Sequence, residues 1–95
     1  MKLALGNIVT TSNLMNTLTE ELGDSGAVVR EIAALLLKHS TGDWGTVDAE
    51  DKKANDDAVK HGGRLLSAYQ IGEIKVWIIT EWDRSVTTVL LPEDY

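Results

Sequence analysis

The chain has 95 residues, no cysteine, and fifteen acids against nine bases, for a net charge of −6. The length suits one domain with a single core, and the lack of thiols excludes disulfides, thiol nucleophiles and cysteine-ligated zinc or iron–sulfur centres. The acidic balance, with no run of Lys or Arg to offset it, disfavours direct binding to nucleic-acid phosphates and suits either simple solubility or a partner with a basic surface.

Residues 3–10 (LALGNIVT) lean towards β structure, with Gly6 and Asn7 marking a bulge or turn. The same segment, from Met1 to Val9, holds one Lys and a short apolar run, without the length or cleavage pattern of a secretory signal. Ser12 is the expected N-cap of a short helix over about 13–22. Leu14, Leu18 and Leu22 recur every four residues along it, and Gly23 supplies the usual stop. Asp24 or Ser25 caps the next helix, about 26–39. Val28, Val29, Ile32, Ala33, Leu35, Leu36 and Leu37 make it apolar around most of its girth, the pattern of a central core helix. A loop follows over residues 39–45. Thr46 or Asp48 caps a third helix, about 48–61, whose apolar anchors are only Val47, Ala54, Ala58 and Val59; Gly62 and Gly63 end it.

The remainder reads as a β-meander. Residues 64–71 and 74–81 flank Gly72-Glu73, a two-residue loop with Gly first, the signature of a type II′ hairpin. That turn fixes the register: Ile71 faces Ile74, Tyr69 faces Val76, Ser67 faces Ile78, Leu65 faces Thr80, and Arg64 faces Glu81. Leu65, Ser67, Tyr69, Ile71, Ile74, Val76 and Ile78 then share the face expected to meet the core. Asp83-Arg84 makes a second turn, Val86 to Leu91 forms a third strand, and Pro92 stops it. The expected fold is therefore α+β: N-terminal helices packed on one face of a C-terminal antiparallel meander of three strands, with room for a fourth from the N-terminus. No stretch approaches the ~20 apolar residues that cross a bilayer. The expectation is a soluble cytoplasmic domain with no cofactor and no metal.

Few residue patterns point to chemistry. His39 and His61 each end a helix, where the dipole favours a positive imidazole, and neither sits in a zinc-binding spacing. Asp43 and Trp44, between two glycines, either present a carboxylate beside an indole or close a gap between helices and sheet. Asp48, Glu50, Asp51, Asp56 and Asp57 lack the spacing of a calcium loop and read as a solvated acidic face, with Asp56 and Asp57 the carboxylates most apt to meet a basic partner. The densest polar cluster is Thr80-Glu81-Trp82-Asp83-Arg84-Ser85, with Arg64 beside Glu81. There Glu81 is a candidate base, Arg84 a candidate anion ligand and His39 a candidate acid, in the manner of a small nuclease; the alternative is a turn held by local polar bonds.

Three strings carry a resemblance: HSTGDWG at 39–45, RLLSAY at 64–69 and VWIITEWDRSVTTVLLPEDY at 76–95. Together, over about residues 38–95, they resemble a family of small bacterial plasmid-related proteins found on plasmids, phages and integrated elements. Some members carry a label linking them to restriction–modification methylation subunits. This chain has no glycine-rich cofactor loop and no Asn-Pro-Pro-aromatic motif, so the label implies association with such systems rather than methyl transfer. The resemblance implies an accessory role in mobile-element biology. A small acidic protein in that setting would modulate or inhibit a host nucleic-acid-processing or defence protein through its basic groove, using Asp43, Trp44, Arg64, Glu81, Trp82, Asp83, Arg84, Asp56 and Asp57 as candidate contacts.

Overall fold

Caps and apolar stripes set the helices in a computed structural model of the chain, which describes residues 3–95. Met1 and Lys2, at the start of the segment judged unlike a secretory signal, lie outside the described residues. Strand β1 (Asn7–Thr10) leads into α1 (Ser12–Leu22). Thr11, not Ser12, is its N-cap: the Thr11 side chain accepts from the Leu14 amide, and Ser12 becomes the first helical residue. Gly23 ends α1 in the left-handed conformation, φ 70°. Asp24 caps α2 (Ser25–Ser40), and Asp48 caps α3 (Ala49–His61). Strands β2 (Leu65–Ile71), β3 (Ile74–Thr80) and β4 (Val86–Leu90) follow, then a short 3-10 turn, Pro92–Asp94.

The β2–β3 hairpin keeps the expected register at every pair from Leu65↔Thr80 to Ile71↔Ile74, and Gly72 has the positive φ, 59°, that its turn requires. The fold is α+β as expected, with one correction: the sheet is mixed. Its order is β1-β4-β3-β2, and β1 runs parallel to β4, Asn7 beside Val86 and Thr10 beside Val89. Tight turns force β2, β3 and β4 antiparallel. No hairpin joins β1 to β4, so nothing imposes that direction on β1.

The main core lies between α1, α2 and one sheet face: Leu14, Leu18, Val28, Ile32 and Leu35 meet Tyr69, Ile71, Val76, Ile78, Val89 and Leu91. Removing each such large side chain from water is worth roughly 1.5–3 kcal/mol. A smaller cluster of Trp44, Ala58 and Leu65 seats α3. Both clusters draw on the sheet face predicted to be inner. Helix α2 departs from its reading as an all-round core helix: Val29 and Leu37 are 61% and 57% exposed. A four-stranded sheet with α1 alongside covers only one side of it. In α3, Ala54 is exposed, and Asn55 takes the buried place instead. Among the described residues no helix is long and apolar enough to cross a membrane.

Candidate functional site

Polar side chains on the inner face are joined in one buried chain. Period-two alternation turns Ser67 of β2, Thr80 of β3 and Thr87 of β4 inward, and all three are fully buried, as is His39 at the end of α2. His39 Nδ1 lies 2.5 Å from Ser67 Oγ, and Nε2 lies 2.8 Å from Thr80 Oγ1. Thr80 Oγ1 is 2.7 Å from Thr87 Oγ1, which donates to the Leu5 carbonyl at 2.7 Å. The acceptor-only end fixes the protons as far as the Nε2 of His39. Thr87 donates to Leu5, so Thr80 donates to Thr87, and the Nε2–H of His39 donates to Thr80. In the neutral imidazole Nδ1 then accepts from Ser67. The pKa of His39 is lowered to about 4, chiefly by burial and secondarily by the positive charge of Arg84. This corrects the expectation of a dipole-favoured, charged His39: desolvation outweighs the helix end. The Ser67–His39 contact has the geometry of a nucleophile and its base, but Ser67 has no exposed surface to meet a substrate. The chain's evident work is to bolt α2 to three strands and to the segment entering β1.

The opposite sheet face carries a second polar group. Arg64 donates from Nε and Nη2 to Glu81 Oε1 at 3.3 and 3.2 Å, and from Nη1 to the Tyr95 hydroxyl at 2.7 Å. Its guanidinium sits 5.8 Å from the Tyr95 ring centre, and that ring meets Trp77 edge-on at 5.9 Å. Tyr95 and the nearby turn residue Trp82 are each 71% exposed. The turn itself is self-contained. Asp83 accepts from the Ser85 amide and hydroxyl. Arg84, at φ 62°, donates to the carbonyls of Gly63, Glu81 and Ala58 at 2.6, 3.1 and 3.1 Å. It thereby ties the turn to the end of α3, through Ala58 in its last turn and Gly63 just beyond it.

The structure thus separates the three residues of the nuclease-like alternative. His39 is buried on the inner face, Glu81 is paired with Arg64 on the outer face, and Arg84 is bonded to backbone carbonyls. Trp44 is buried, with its Nε1–H donating to Asp56 Oδ1 at 3.0 Å, while Asp43 Oδ1 accepts from the Gly45 amide. Asp57 stands exposed on α3. Tyr69 donates its hydroxyl to the Asp43 carbonyl at 2.5 Å, and burial pushes its pKa up to about 12. Among the described residues no group of three His, Asp or Glu side chains is placed to hold a metal. A surface groove of about 310 Å³ beside α1 is lined by Asn13, Thr17, Glu73, Lys75, Leu91 and Glu93.

Sequence reasoning missed Asn55, whose amide donates to the Leu66 carbonyl at 2.7 Å and whose oxygen accepts the Leu66 amide at 3.0 Å. It also missed the His39 chain, although the hairpin register already put Ser67 and Thr80 on the face destined for burial. A search for family models, curated protein sequences and solved structures similar to the chain found no match.

Proposed function

We propose that this protein is a small acidic protein-binding module, the accessory protein of a plasmid- or phage-type element that the resemblance implies. It docks through the outer sheet face on a basic surface of a host nucleic-acid-processing or defence protein and modulates or inhibits it in the cytoplasm. One observation carries the reading: of the most exposed aromatic side chains, Tyr95 lies against the Arg64–Glu81 pair on the sheet face that no core cluster uses, and Trp82 stands in the turn that directly follows Glu81. Exposed Trp, Tyr and Arg side chains are the residues from which binding hot spots are made. The net charge of −6 sets the sign of the partner and speeds encounter with it.

The test is affinity capture from nuclease-treated bacterial lysate with the wild-type chain and with a Trp82→Ala, Tyr95→Ala double variant, followed by titration of the purified partner. The expected result is one stoichiometric basic protein, released by raised salt. The double variant binds it at least about 30-fold more weakly with an unchanged circular dichroism spectrum. A partner held equally by both forms, indifferent to salt, overturns the reading.

A further inference from the structure

The two edges of the sheet are finished in different ways. At β2 the outward peptide groups of Leu66 are met by Asn55. Those of Ala68 are met by the Trp44 carbonyl and the Thr46 amide. At β1 the amides of Asn7 and Thr11 donate inward, to the carbonyls of Ser85 and Val89. Alternation then turns the amides and carbonyls of Ile8 and Thr10 away from β4, and among the described residues β4 is the only strand beside β1.

Exposed edges are ordinarily blunted by Lys, Pro, an inward charge or a bulge. β1 has none of these. Its four residues are Asn, Ile, Val and Thr, all exposed, with Ile8 at 49% and Val9 at 45%. A carboxylate stands at each end. Asp83 holds Ser85, whose carbonyl binds the Asn7 amide. Asp94 accepts from the Thr11 hydroxyl at 2.7 Å and from the Asn13 amide at 2.9 Å. The strand between spans roughly 13 Å at ~3.3 Å per residue.

We propose that β1 is a strand-addition site for an extended segment of a basic protein partner: an uncharged, β-branched stretch with Lys or Arg on either side, pairing with Ile8 and Thr10 and meeting Asp83 and Asp94. This rests on the reading of the protein as a module for a basic partner and assigns that partner's docking element. Main-chain bonds supply the affinity of such augmentation, and the flanking charges its selectivity. A second copy fits less well. Antiparallel pairing of two β1 strands sets Asp83 against Asp94, parallel pairing sets each carboxylate against its own twin, and both copies carry a charge of −6.

The experiment uses the full chain, labelled for NMR, and a synthetic peptide with a Val-Thr-Val-Thr-Val centre and two Lys at each end. A peptide with Glu in place of Lys is the control. The expected result is at least tenfold slower amide hydrogen exchange at Ile8 and Thr10 with the Lys peptide and none with the Glu peptide, while Leu66 and Ala68 are unaffected. Ile8→Pro removes one outward donor and abolishes protection at Thr10. Should that variant fail to fold, Ile8→Lys, which sets like charge against the peptide, gives the same loss. Equal protection by both peptides, or protection without peptide that grows with protein concentration, overturns the proposal. If the Lys peptide perturbs only Trp82 and Tyr95, strand addition falls and the binding-module reading stands. If it perturbs nothing, strand addition falls, and the binding-module reading is decided by the capture experiment with the Trp82→Ala, Tyr95→Ala variant.

Discussion

The sheet's β2 edge is closed by two separate parts of the chain, and its β1 edge by none among the described residues. Asn55 reaches from α3 to Leu66, and the backbone of residues 44–46 forms a short parallel bridge with Ala68. Trp44 fixes that bridge by packing with Leu65 and Ala58 and bonding Asp56. The poorly apolar helix α3 is thus retained largely by the hydrogen bonds its neighbourhood makes to β2. β1 and the residues beside it bring the inner ladder, the Leu5–Thr87 and Leu3–Ser40 bonds before it and the Thr11–Asp94 bond after it, all on the side away from the open edge or at its ends. An edge closed in this way resists pairing with other chains. The open edge costs little stability, because water satisfies its outward groups.

The largest expected effect tests the closed edge. Gly45 has φ 75°, and a Cβ there overlaps the Ala68 carbonyl and the Tyr69 ring. Gly45→Ala should therefore cost about 3 kcal/mol or more, from left-handed strain plus the displaced bridge, read as a lower urea midpoint with an unchanged slope.

Next is acid. The His39 chain reaches from β2 across β3 and β4 to Leu5, so it couples the two edges. The folded pKa of His39 lies near 4, below its ordinary value of 6.5. Above 6.5 both folded and unfolded chains hold it neutral, and its contribution is complete. As pH falls below 6.5 only the unfolded chain gains the proton, and stability drops until about pH 4. The total is roughly 3 kcal/mol, at 1.36 kcal/mol per unit. Asp83 and Asp94, held below 3.8 by their Ser85 and Thr11 partners, lose their contribution only below that window. Urea unfolding from pH 7 to 4.5 measures the slope, and His39→Leu should flatten it while lowering stability throughout.

Asn55→Ala is expected to cost about 2 kcal/mol, since it strands both peptide groups of Leu66 in a half-buried site. Asn55→Asp should recover part of this, keeping the acceptor for the Leu66 amide and losing the donor to its carbonyl. Hydrogen exchange at Leu66 reports the loss directly, and a rise in aggregation on heating would show that the edge has opened.

The inner half of this comparison was legible in the sequence, and the edges were not. Gly72-Glu73 dictates one register, and register alone assigns each β2 and β3 side chain to its face. Arg64 and Glu81 follow from the same pairing and meet as expected. The position of β1 next to β4 depends on contacts between segments about 80 residues apart, such as Thr11 with Asp94, which no local pattern encodes. Asn55 was unreadable for a related reason. On a polar helix it looks like every other solvated side chain, and its role exists only once β2 lies beside it. Arg84 carried a misleading signal: a guanidinium in a polar turn suggests an anion, yet its donors go to backbone carbonyls, those of Ala58 in α3, Gly63 just beyond it and Glu81 in the turn.

The smallest expected effect sharpens the comparison most. Ile8→Lys adds the charge that blunts natural edges, at a site 49% exposed whose backbone bonds face water. It should change unfolding free energy by no more than about 0.5 kcal/mol, the usual range for surface substitutions. The inner ladder through Asn7 and Thr11 does not involve the Ile8 amide, and the fully buried neighbours Thr87 and Val89 keep their contacts. A similarly small cost for Ala68→Lys would show that the closed edge is no more constrained than the open one. A loss above 1 kcal/mol for Ile8→Lys would mean that Ile8 packs into the core more firmly than its exposure implies. With stability held constant, any loss of partner binding in Ile8→Lys reports on the edge itself, because the aromatic face with Trp82 and Tyr95 is untouched.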